Sequence, residues 1–338
     1  VAILREAFTL KPFSEKMPLR MVFPFKPDLK LTEVLKQHSF TLSAEVIPPR
    51  NGAEQGKVLE QIQSLIGAGA QFLSVTKGAG GSLRGGSLPI AQAIKEQFKV
   101  PCIAHFTCRD LTPQDVENQL IDHHYFGIRN ILALRGDPPD GIQEWKPRES
   151  GYHYAYELIE QIRKLNGGDY LKRVGGPQVT YQESTDFCIG AAAYPEHPVD
   201  EERLRFFKLK IDAGAHYGIT DMLFDPEIYA RFVDSCTKSG ISVPILPGTR
   251  LLKSRTQARK MAAKFRVTIP ESTLRALPES EGETSTAAPS YNIELFLNLV
   301  DKLKKYGAPG IHLYVISDTK GAVPALQQLA AAQKQDSK

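Results

Sequence analysis

Several apolar runs of the chain stop on residues that can move protons or bind charge. SAEVIPPR carries Glu45, CIAHFT carries His105 and Thr107, and NILALRGDPP ends on Arg135, Gly136 and Asp137. AAAYPEHP presents Tyr194, Glu196 and His197, and YGITDMLF holds Asp221. The prolines after Asp137 forbid continuation of a strand. That Arg-Gly-Asp triplet could be a plain surface turn, an adhesive loop, or the floor of an active site where charge is set on a rigid element. Carboxyls, imidazoles and a guanidinium at successive run ends offer acid–base chemistry and anion binding, provided that the fold gathers those ends.

The elements that would gather them recur along the chain. Strand-like runs are expected at 39–45, 72–76, 102–107, 129–136, 187–194, 217–224, 243–248 and 310–316. Between them lie stretches such as GKVLEQIQSLIGAGA and PIAQAIKEQF, with apolar residues at helical spacing. Strands this apolar, each followed by a helix, imply a parallel sheet covered by helices. Eight repeats without an internal composition shift predict an α/β fold, a single (β/α)8 TIM-type barrel over 38–336 after an N-terminal extension, 1–37. In such a barrel the functional side chains sit at the C-terminal ends of the strands, so the scattered charges converge on one mouth. The triplet then belongs to a short rigid turn at the barrel rim, which makes a poor adhesive ligand.

Other features set bounds. The first methionine is Met17, and residues 1–16 show no clear period, so they read as an upstream extension or a cloning remnant. Residues 271–290, ESTLRALPESEGETSTAAPS, read as a mobile surface insertion. A net charge of +4, evenly interspersed, lacks the basic stripe of a nucleic-acid binder. No window approaches the roughly 18 consecutive apolar residues of a membrane span. Cys102, Cys108, Cys188 and Cys236 form no C-x-x-C pair and sit beside apolar runs, as structural thiols do; no metal site is expected, and a cytoplasmic location is. The cluster GAGGSLRGG at 78–86 places Leu83 at the third glycine of a dinucleotide fingerprint, so it reads either as a loop beside a phosphate or ribose or as a plain turn.

The runs SAEVIPPRNG, SVTKGAGGS, HFTCRD, GIRNILALRGDPP, AAAYPEHP, KIDAGAHYGITDMLFD and ILPGT, in this order and spacing, resemble the methylenetetrahydrofolate reductase family over about residues 38–336. The resemblance implies a flavoprotein that carries a hydride from NADH or NADPH through FAD to 5,10-methylenetetrahydrofolate, within one-carbon metabolism and methionine biosynthesis. It implies that Glu45 is the acid that protonates the folate and that Asp137 lies beside flavin and pterin. It also implies FAD contacts from Thr76, His105, Arg135, Gly136, Asp137, Tyr154, Ala155, Tyr194, His197 and Lys210. Glu45, Asp137 and Asp221 would face the folate substrate. Related readings stay open: oxidation of methyltetrahydrofolate, use of another flavin or a deazaflavin, or a non-catalytic folate- or flavin-binding paralogue. The choice of NADH or NADPH, and of monomer or homo-oligomer, is not legible.

The chain departs from the family pattern at particular positions. Asp221 stands where the family usually has a glutamine, and Lys77 where an aromatic residue is common. Arg203, Phe206 and Leu209 occupy FAD-facing positions that usually carry Asp, Asn and Arg, and Arg255 is the nearest position to a usual aromatic of the substrate loop. These changes fall at the adenosine end of FAD and on the substrate face.

Overall fold

Runs rich in Val, Ile, Leu and Ala pair as parallel strands and close on themselves in the order β1 to β8. The computed structural model describes residues 25–49, 52–81, 85–138, 146–172, 182–280, 292–315 and 319–336. The strands are β1 Thr41–Val46, β2 Phe72–Val75, β3 Cys102–Thr107, β4 Asn130–Leu134, β5 Cys188–Ala193, β6 Tyr217–Met222, β7 Ile245–Thr249 and β8 Gly310–Tyr314. The helices are α1 Leu31–Gln37, α2 Gln55–Gly67, α3 Ser87–Gln97, α4 Pro113–Tyr125, α5 Ala155–Asn166, α6 Asp200–Asp212, α7 Pro226–Lys238, α8 Arg255–Phe265, α9 Glu271–Ala276, α10 Ile293–Lys305 and α11 Thr319–Asp336. Pairing of β1 with β8, from Thr41 opposite Gly310 to Glu45 opposite Tyr314, closes the barrel.

Helix starts follow local chemistry. Thr112 caps α4 in a reciprocal box with Asp115, with Pro113 in the first turn, and Asp225 caps α7 ahead of Pro226. Ser254 and Asn292 cap α8 and α10 in the same way.

Side chains alternate across each strand. One face, including Leu42, Ala44, Leu73, Val75, Ala104, Phe106, Ile131 and Ile189, packs outward against the helices. The other fills the barrel, where Phe72, Ile103, Leu132, Cys188, Tyr217, Ile219 and Leu246 form an apolar floor. The Tyr217 ring occupies the space in which a side chain at Gly190 would lie, 2.3 Å from a built Cβ, so glycine is required there. Helix α1 sits beneath this floor, with Leu31 and Val34 in the same cluster.

The segment before α1 is latched to the barrel. Asp28 N donates to Gly127 O, Asp28 Oδ2 accepts from Cys102 N at 2.9 Å, and Asn130 Oδ1 accepts from Leu31 N at 2.6 Å. Residues 25–37, which the sequence assigned to an extension, therefore close the N-terminal end of the barrel. The expected surface insertion begins instead with α9, whose Leu274 packs beside buried Leu277 on Phe224, Leu252, Met261 and Ile269. Arg255 ties it down by donating to Leu274 O and pairing with Glu279 at 2.6 Å; residues 281–290 lie outside the described residues. Among the described residues no helix is long and apolar enough to cross a membrane.

Candidate active site

Glu45 and His105 point inward from β1 and β3 toward the C-terminal end of the barrel. Their side chains are largely buried, and Glu45 Oε2 lies 3.4 Å from His105 Nε2. Burial pushes Glu45 up to about 8 and His105 down to about 4. Near neutral pH the two are therefore a carboxylic acid beside a neutral imidazole, not an ion pair.

A buried polar layer lies just below. Ser43 Oγ donates to Ile311 O at 2.9 Å and so accepts from His312 Nδ1 at 2.9 Å, leaving His312 Nε2 to accept from Ser74 Oγ at 3.1 Å. These contacts fix one neutral tautomer. Burial, helped by His105, holds His312 down to about 3.

On β6 the pairing register with β7 shifts between Ile219 and Met222, a bulge beside Asp221, which shares the inward face with Tyr217 and Ile219. Thr220 Oγ1 accepts from Gly248 N, and Tyr314 Oη donates to Thr220 O at 2.5 Å, which pins the bulge to β7 and β8. Burial first, and then the charge of Glu196, raises Asp221 to about 7. Burial also lifts the Tyr314 hydroxyl well above its ordinary value, with added contributions from Glu45, Asp221 and Tyr194. Strands β1, β6 and β8 and the turn after β5 thus meet at one mouth.

The Arg-Gly-Asp turn follows β4. Gly136 has φ +95°, and a Cβ there would meet Arg109 Cβ at 3.0 Å and Thr107 Cβ at 3.1 Å. Asp137 Oδ2 accepts from Gly80 N at 3.0 Å, joining this turn to the glycine segment after β2. Residues 82–84 of that glycine cluster lie outside the described residues.

Beside the mouth opens a cleft of about 420 Å³. It collects Arg135, Gly136, Asp137, Tyr154, Ala155, Tyr194, His197 and Lys210 from the sequence-predicted set. Thr76, just after β2, and His105 on β3 are buried and do not line it. Lys210 Nζ donates to Ala192 O at 2.8 Å and lies 5.0 Å from the Tyr194 ring centre. Burial and the nearby Arg135 lower Lys210 to about 8, a strain that a bound anion would relieve.

The cleft also holds Thr107, which the sequence placed among the run-end residues but not among the cofactor contacts. Thr107 Oγ1 is buried in its wall with no hydrogen-bond partner among the described residues. Thr107 shares the inward face of β3 with His105 two residues earlier, as Tyr314 does with His312 on β8; alternation from His312 would have found Tyr314, which the sequence reading did not single out. Tyr156 and Phe206 line the cleft as well. Small apolar residues (Ala133, Ala192), an orphan hydroxyl and cations from β4 and α6 suit a planar heterocycle that carries phosphate.

Comparisons with known proteins agree with this architecture. The family model described as methylenetetrahydrofolate reductase matches residues 30–330. The 5,10-methylenetetrahydrofolate reductase of Escherichia coli (strain K12) is 31% identical over 285 residues, covering 83% of this chain and 88% of that protein. Methylenetetrahydrofolate reductase (NADH) 1 of Arabidopsis thaliana is 29% identical over 300 residues, covering 89% of this chain and 50% of that protein. The chain thus spans about half the length of the plant relatives it matches. A solved structure of an uncharacterized protein from Clostridium thermocellum that binds two copies of 5-methyl-5,6,7,8-tetrahydrofolic acid shares the fold. Its TM-score is 0.58 at 15% identity, covering 90% of this chain and all of that one. By the span of the family match and the likeness to the bacterial enzyme, the chain belongs to the methylenetetrahydrofolate reductase family.

Proposed function

We propose that this chain reduces 5,10-methylenetetrahydrofolate to 5-methyltetrahydrofolate, with FAD as resident cofactor and NADH or NADPH as reductant. The observation that carries the reading is Glu45, a buried carboxyl at the barrel mouth that keeps its proton near neutral pH. Opening the five-membered ring of the folate to an iminium requires a proton at a ring nitrogen, and a carboxyl raised to about 8 still holds one to give. Glu45 is the donor, and water or solvent acid restores its proton after turnover.

Flavin fits the cleft on this chain's own features. Thr107 Oγ1 lacks a partner among the described residues, and Arg135, Gly136 and Lys210 line the same cleft, with two cations suited to phosphate. When bound, FAD supplies the hydride that converts the iminium carbon to a methyl group. Arg135, Lys210, Tyr194 and His197 would hold it. Asp137, oriented by Gly80 N, places negative charge where the iminium cation develops, so attraction is largest at that stage. Asp221 lies on the folate side of the mouth.

The test is product analysis. Protein supplied with FAD, a reduced nicotinamide nucleotide and 5,10-methylenetetrahydrofolate is expected to yield 5-methyltetrahydrofolate in step with nucleotide oxidation. Oxidation without that product, or no flavin-dependent turnover, would reject the assignment.

A further inference from the structure

The turn after β5 sends its side chains two ways. Tyr194 and His197 line the cleft, while Glu196, between them, reaches across the rim to the segment after α8. There Glu196 Oε2 accepts a hydrogen bond from Thr268 N at 2.8 Å. Glu196 Oε1 is buried and has no hydrogen-bond partner among the described residues. The turn itself is held in place. His197 N donates to Tyr194 O at 3.1 Å, and Arg203 of α6 donates twice to His197 O, at 2.6 and 3.1 Å.

Asp221 is the neighbour of Glu196 on the next strand. Strands β5 and β6 pair in parallel with Ala193 opposite Thr220, so Asp221 follows at the level of Tyr194, two residues before Glu196. Burial, the largest effect, and Asp225 raise Glu196, while the Thr268 N–H and the Arg203 guanidinium work the other way. Asp225 is itself committed to the start of α7, accepting from Glu227 N at 3.0 Å. For Asp221 burial comes first and the charge of Glu196 second, and both favour the protonated acid. The hydroxyls of Tyr194 and Tyr314 feel the same carboxyl. The two acids therefore share the mouth on unequal terms. Glu196 has an amide N–H and a guanidinium to support a charge, and Asp221 has that charge as its neighbour. Of two like groups so placed, the better supported one ionises first and keeps the proton on the other.

We propose that Glu196 is a positioning residue for the folate: anchored on Thr268, its carboxylate keeps the proton on Asp221, which can then donate a hydrogen bond to the substrate as an amide would. The inference rests on the folate reading of the mouth given above. It makes the bond between the β5 turn and the segment after α8 part of substrate recognition, since that bond fixes the charge beside Asp221.

Calorimetric binding of 5-methyltetrahydrofolate to protein supplied with FAD, from mild acid to mild base, tests it. The part of the pH dependence that belongs to Asp221 is the part absent from Asp221→Gln. In wild type that part should be a loss of affinity as pH rises through about 7. Glu196→Gln keeps an acceptor for Thr268 N and removes the charge. It should move this loss toward acid by roughly tenfold in proton concentration, which weakens binding at about pH 7 roughly fivefold. Glu196→Ala, which also gives up the bond to Thr268, should move it in the same direction. Neither change should alter the pH dependence in the Asp221→Gln background, a result that a merely structural role for Glu196 would not give. An unmoved midpoint in Glu196→Gln, or a shift that persists without Asp221, overturns the inference while the reductase reading stands. Absence of folate binding by wild type at every pH overturns both.

Discussion

Glu45 Oε2 and His105 Nε2 lie 3.4 Å apart in a pocket where burial drives each toward its neutral form. A protonated His105 would stabilise the ionised form of Glu45 and leave no acid to use. With His105 held down to about 4, the carboxyl keeps its proton until the pH approaches about 8. The contribution of Glu45 to folate reduction should therefore be constant on the acid side and fall as pH rises through about 8. A pH profile of that half-reaction, measured with pre-reduced flavin, checks it.

Asp221 adds a second titration to the same mouth. Its carboxyl is neutral below about 7 and charged above it, and only the neutral form can donate a hydrogen bond as an amide does. Turnover of methylenetetrahydrofolate should improve toward mild acid. Asp221→Gln should raise kcat/KM above pH 7 by roughly 5- to 150-fold, the scale of one mispaired buried polar group, and remove this part of the pH dependence. Steady-state kinetics across pH decide it; a lower kcat/KM in the variant would mean that the aspartate suits a different substrate, as the methyltetrahydrofolate-oxidising reading requires.

Asp28, which latches the segment before α1, gives a prediction about stability. Burial raises it to about 7 despite hydrogen bonds from Cys102 N and Asn130 Nδ2. The folded chain therefore binds this proton more tightly than the unfolded chain does. Its contribution is fully present below the unfolded value near 4 and is lost as pH rises toward about 7. Asp28→Asn should gain in Tm relative to wild type across that window and hold the gain above it. Thermal melts at several pH values would show this, and a constant difference would contradict it.

Gly136→Ala tests the turn after β4. The left-handed φ and the contacts with Arg109 and Thr107 leave no room for a methyl group, so the substitution should cost about 1 to 3 kcal/mol of stability and weaken flavin binding. Denaturant unfolding with and without FAD measures both effects.

The barrel was legible because its signal is periodic. Runs at 102–107 and 310–316 coincide with β3 and β8 to within two residues, and the inward positions follow from alternation. The run at 129–136 overshoots β4, because Arg135 and Gly136 have left the ladder with β5. What escaped depends on partners distant in sequence. The β6 bulge beside Asp221 appears only in the pairing with β7, and α1 takes its place against the apolar barrel floor. Leu274 and Leu277 were hidden in a polar segment whose composition masked a docking face. Phe206 was visible only as a departure from a polar pattern; its stack with Tyr154 needs α5 and α6 side by side.

The central claim is that Glu45 supplies the proton in folate reduction and has no part in reduction of the flavin. Rapid mixing of FAD-loaded wild type and Glu45→Gln separates the two half-reactions. The account predicts that NADH or NADPH reduces the flavin at nearly the same rate in both proteins, while reoxidation by methylenetetrahydrofolate falls by roughly 100-fold or more in the variant. Equal losses in the two half-reactions, or undiminished reoxidation, would contradict it.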